Sequence, residues 1–123
     1  MRKFASVFIL SLIFLTVKAQ NPPQNIQSIP IGSEIPHTDY EMEDVSGEIV
    51  SLNTVKKKNG LLVIFSCNTC PYVIGWQDRY LPIGEWTLEN NIGFILVNPN
   101  EAQRDGVDAI EKMKEHAAKN KYN

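Results

Sequence analysis

Two cysteines separated by two residues, Cys67 and Cys70, are the only thiols in a chain of 123 residues. Thiols at this spacing can close a disulfide with little backbone movement, so the pair is suited to thiol-disulfide exchange. A bridge closing so short a loop constrains the unfolded chain little, which makes redox turnover a better reason for the pair than stapling. Leu61 to Phe65, just upstream, form an unbroken apolar run that reads as a strand buried on both faces. Ser66 is a helix-cap type residue, and a helix is expected to start within the cysteine motif. Cys67 at the helix opening would feel the positive end of the helix dipole and unpaired backbone N–H groups, favouring its thiolate. It is therefore expected to be the nucleophile. Cys70 would lie about one turn further in as the resolving thiol, and Pro71 is tolerated because its missing N–H falls in the first helical turn.

The flanking sequence supplies the elements that must position this pair. Thr38, Tyr40 and Met42 alternate with acidic residues, Ser46-Gly47 makes a turn, and Ile49 to Leu52 return, which predicts a hairpin. Lys56-Lys57-Lys58 before Asn59-Gly60 reads as a solvated turn leading into the central strand. Beyond the cysteines, Val73, Trp76, Tyr80 and Ile83 recur at helical spacing, with Trp76 and Trp86 expected as core anchors and Pro82 expected to kink or divide the helix. Asn90-Asn91 end the helical region, Ile92 to Val97 read as the next strand, and Asn98-Pro99-Asn100 close it. From Asp105, a candidate cap, Val107, Ile110, Met113 and Ala117 mark one face of a last helix. The order is hairpin, strand, helix, strand, helix, an α/β arrangement whose two central strands pair in parallel.

These motifs carry a resemblance. The strand followed by Cys67-Asn68-Thr69-Cys70-Pro71-Tyr72-Val73 resembles the thioredoxin-like redoxins, in particular the alkyl hydroperoxide reductase/thiol-specific antioxidant and thiol-disulfide oxidoreductase branch. Upstream, Ile31 to Pro36 and Val45 to Leu52 look like that domain's Gly-x-x-x-Pro lead-in followed by a turn and a strand ending in Ser-Leu, so the similarity covers roughly residues 30 to 120. It implies a thioredoxin-like fold and disulfide exchange with protein thiols and disulfides or an upstream thiol reductant. No cofactor and no bound metal are implied. The family continues with a proline facing the cysteines, a hairpin and a closing helix, for which this sequence has no counterpart. The chain is accordingly expected to be incomplete at its C-terminus, and weakly stable by itself.

Two other functions share parts of the pattern. A peroxiredoxin-like peroxidase carries Pro-x-x-x-Thr-x-x-Cys and a distant arginine; against Cys67 those positions are Gly60 and Ile64, leaving Arg79 or Arg104 to supply the guanidinium. A copper-binding chaperone on the thioredoxin fold would combine Cys67 and Cys70 with a histidine. His37 and His116 are the only ones, and both read as solvated surface residues.

Residues 1–19 have the form of a signal peptide: Arg2 and Lys3, an apolar core from Phe4 to Val17, then Val17-Lys18-Ala19 before Gln20. As a helix the apolar core spans about 21 Å, short of the roughly 30 Å needed to cross a bilayer. The mature chain is thus expected in the periplasm or secreted, touching a membrane only through the transient signal peptide. Residues 20–30, with Pro22, Pro23 and Pro30, read as a linker to a domain over 31–123. Loss of Arg2, Lys3 and Lys18 takes the basic residues from 12 to 9 against 14 acidic, a net charge of −5. So acidic a domain argues against a nucleic-acid partner.

Overall fold

Asp44 organises the turn of the first hairpin. Its carboxylate accepts from the Ser46 hydroxyl at 2.6 Å, the Ser46 N–H at 2.8 Å and the Glu48 N–H at 3.0 Å, while Gly47 takes the positive φ of 90° that the reversal requires. The strands on either side, β1 (Met42–Glu43) and β2 (Ile49–Val50), pair antiparallel. The expected hairpin is present but short. Residues 36–39 form a turn instead of extending it, and Ser51-Leu52 start a helix instead of ending a strand. Ser51 caps α1 (Leu52–Val55) in a reciprocal box, its hydroxyl accepting from the Thr54 N–H while Thr54 Oγ1 accepts from the Ser51 N–H at 2.8 Å.

The structure is a computed structural model describing residues 27–122. The expected signal peptide (1–19) and most of the expected linker (20–30) lie outside the described residues. The chain divides into a unit ending at Ser33 and a second unit from Glu34 onward, which carries every strand and helix named here. No helix among the described residues is long and apolar enough to cross a membrane.

After the exposed lysine turn, closed by a bridge between Lys57 and Gly60, β3 (Leu61–Phe65) runs parallel to β4 (Gly93–Val97), with Leu61 opposite Gly93 and Phe65 opposite Val97. The α/β order and the parallel pairing are as the sequence predicts. Gly93 admits no side chain: a Cβ there would lie 2.2 Å from the Val55 carbonyl oxygen, so α1 and β4 approach as closely as they do only because the residue is glycine. The connection between the strands holds α2 (Pro71–Ile74), a 3-10 turn (Gln77–Arg79) and α3 (Tyr80–Glu89). The helical stretch is divided, but upstream of Pro82. Pro82 sits in the first turn of α3, where no intrahelical bond is owed by its missing N–H. A 3-10 turn (Glu101–Gln103) and further turns follow β4, so the last helix, α4 (Ile110–Asn120), begins later than expected, with Ala109 and not Asp105 at its cap position.

The apolar core is small. Among the described residues Tyr80 and Ala117 are the buried hydrophobic side chains, and Tyr80 packs against Tyr122 with ring centroids 5.8 Å apart. Tyr122 ties the end of α4 back to the chain, its hydroxyl donating to the Gln77 carbonyl at 3.2 Å. Burial, followed by the neighbouring Tyr80 and Asp78, pushes the Tyr122 hydroxyl pKa up. Trp76 and Trp86, expected as core anchors, are 58% and 55% exposed. Nor is β3 buried on both faces, since all five of its residues keep some exposure and Phe65 is largely exposed. A two-stranded sheet offers too little surface to cover an apolar run twice.

Candidate functional site

In a parallel sheet the loops leaving the carboxyl ends of the strands converge on one edge, the usual place for chemistry in open α/β sheets. Here β3 delivers Ser66 to Cys70, and β4 delivers Asn98 to Asp108. Ser66 does not cap a helix. Its N–H donates to the Val97 carbonyl at 2.9 Å, extending the ladder one step past Phe65 and fixing where the cysteine loop departs. The hydroxyl of buried Tyr80 lies 3.5 Å from Ser66 Oγ, joining that point to the core.

The cysteines are free thiols, both partly exposed. The helix opens one residue after the second of them: Cys70 is the N-cap of α2, with φ −68° and ψ 121°, its carbonyl accepts from the Ile74 N–H at 2.9 Å, and Pro71 occupies the first helical position. The expected placing of Cys67 at the helix opening and Cys70 one turn further in is corrected accordingly. The motif Cys-x-x-Cys-Pro puts the proline at the position that suits it best, and that choice leaves the second thiol as the cap. The backbone N–H groups of Val73 and then Tyr72 face the Cys70 sulfur and lower its pKa, with a smaller contribution from the Cys67 side chain, against an opposing effect of burial. The thiol makes no full capping hydrogen bond. The amides act by orienting their dipoles toward the sulfur.

A buried carboxylate fastens the loop between the cysteines. Asp108, 4% exposed, accepts from the Asn68 N–H at 2.8 Å through Oδ1 and from Asn100 Nδ2 at 2.6 Å through Oδ2. Asn68 Nδ2 donates to the Val107 carbonyl at 3.0 Å, and Asn98 Oδ1 accepts from the Asn100 N–H at 3.0 Å. Sequence reasoning passed over Asp108 in favour of Asp105 as a helix cap. The only signal was an acidic residue shortly before the last helix, and two residues met that description.

The residues considered for the other functions are engaged elsewhere. Arg79 stacks over the Trp76 ring at 4.0 Å and Arg104 pairs with Glu101 at 2.5 Å. His37 is an exposed turn residue as expected, with φ 54°. His116 is half-buried instead of solvated, its ring 6.0 Å from that of Tyr122. No group of three His, Cys, Asp or Glu side chains among the described residues is arranged to hold a metal ion. A shallow open groove lies along α3, lined by Asp78, Arg79, Pro82, Ile83 and Trp86, without either cysteine.

Comparison of the chain with protein-family models, with curated proteins and with solved structures gave no match.

Proposed function

We propose that the protein is an exported thiol-disulfide oxidoreductase of the thioredoxin-like redoxin type, working through Cys67 and Cys70. The observation that carries this reading is the pair itself: two accessible thiols at the carboxyl edge of a parallel sheet, one capping a helix whose amides favour its thiolate. The Cys70 thiolate attacks one sulfur of a partner protein's disulfide. A Cys70–partner disulfide forms, the partner's S–S bond breaks, and the second partner sulfur leaves as thiolate. Cys67, losing its proton to solvent, then attacks Cys70 Sγ. The Cys67–Cys70 disulfide forms, the mixed disulfide breaks, and the partner departs as a dithiol. An upstream thiol reductant restores the pair. This order exchanges the roles expected from the sequence, because the helix-opening position belongs to Cys70.

The strand-helix-strand-helix order with the cysteine loop between β3 and α2 supports the thioredoxin-like assignment. Export rests on the basic and apolar pattern of residues 1–19, and mature protein beginning at Gln20 is its expected product. Reduction of insulin by the protein with a thiol reductant present tests the activity. Turnover abolished in both Cys67→Ser and Cys70→Ser supports the reading, and wild-type protein no faster than the reductant alone would exclude it.

A further inference from the structure

Asp108 is the one charged side chain buried among the described residues, and the exchange chemistry makes no use of it. Its oxygens join the loop between the cysteines to the segment that leaves β4. Oδ1 takes the N–H of Asn68, which lies between the two cysteines, and Oδ2 takes the amide of Asn100, on the loop leaving β4. Burial of a carboxylate is costly unless its oxygens are satisfied, so this arrangement favours a single conformation of the cysteine loop over alternatives that would strand the charge. The Asn68 side chain, bonded to the Val107 carbonyl at 3.0 Å, makes a second tie to the same segment.

We infer that Asp108 is a positioning residue for the redox pair: by holding the Asn68 backbone to the segment after β4, it keeps Cys67 beside Cys70 in the reduced protein and so favours closure of their disulfide. The inference rests on the redox reading of the pair. Oxidation by glutathione disulfide converts two thiols and one glutathione disulfide into the Cys67–Cys70 bond and two glutathione molecules, the two cysteine protons ending on the two glutathione thiols. A loop already ordered in the dithiol state loses little further freedom on closing. One released from Asp108 must be ordered as the bond forms, which lowers the effective concentration of one thiol at the other.

The test is the equilibrium constant of the full chain with glutathione, read by mass after acid quenching and alkylation, with circular dichroism to confirm folding. Asp108→Ala should lower the constant about tenfold, which is about 30 mV less reducing for a two-electron couple. In Asp108→Asn the side-chain oxygen can still accept from the Asn68 N–H, and a flipped Asn100 amide can accept from the new NH₂, so the constant should return to within about threefold of wild type. Asn100→Ala, which frees one side of Asp108, should shift it partway in the same direction and decides the matter if Asp108→Ala does not fold. Folded Asp108→Ala or Asn100→Ala protein with the wild-type constant would overturn the role of Asp108 and leave the redox reading intact. Wild-type protein that forms no Cys67–Cys70 disulfide at any glutathione ratio would overturn both.

Discussion

At the scale of single residues the account turns on which sulfur carries the negative charge. The Val73 and Tyr72 amides lower the Cys70 pKa, so its thiolate persists at a pH where an ordinary thiol is protonated. Alkylation by iodoacetamide at mildly acidic pH, followed by peptide mapping, should label Cys70 faster than Cys67; equal rates or a faster Cys67 would return the attacking role to Cys67. The sign of the linked stability follows from the same shift. A lowered acid pKa adds stability that is complete above the ordinary thiol value and is lost as pH falls through the lowered one. The pair itself was legible in the sequence, because Cys-x-x-Cys after an apolar run is a local signal. The order of the two thiols was not, because it depends on whether the helix begins at Pro71 or earlier within the cysteine motif, and both registers give proline a tolerated position.

Among the elements, α1 and its contact with β4 offer the sharpest tests. Ser51 is buried and its hydroxyl caps α1, so Ser51→Ala should destabilise the protein by about 1 kcal/mol in urea unfolding. Gly93→Ala should cost more, about 1–3 kcal/mol, because the new methyl meets the Val55 carbonyl and the backbone must shift. A Gly93→Ala protein as stable as wild type would show that the approach of α1 to β4 is loose. The Tyr122 hydroxyl gives a test at high pH. Its raised pKa means stability present below the ordinary tyrosine value and lost as pH rises through the folded one. Tyr122→Phe should lose the bond to Gln77 and reduce that alkaline loss. Both strands, their parallel order and the helical connection were readable from apolar runs and breaker residues. The start of α4 was not, since Asp105 and Asp108 look alike in sequence and only the long-range bonds of Asp108 to Asn68 and Asn100 fix the turns between them.

For the whole molecule the governing fact is how little apolar surface is covered. Phe65, Tyr72, Trp76, Trp86 and Leu88 are all exposed, and β3 and β4 pair only with each other among the described residues. Periodicity found the apolar positions of the helices but could not say whether enough structure exists to bury them, which is why Trp76 and Trp86 were expected inside. Both tryptophans should be quenched by acrylamide nearly as readily as a free indole; protected emission would place them against a partner surface. An open sheet edge and exposed aromatics also favour pairing with a second chain, and sedimentation should show association that rises with concentration. The central claim, that Cys67 and Cys70 exchange disulfides with a protein partner, is tested most directly by trapping. Mixed with a disulfide-containing protein such as insulin and quenched in acid, Cys67→Ser should accumulate a covalent adduct through Cys70 that thiol reductant dissolves, while the double serine variant gives none; no adduct from either single variant would contradict the account.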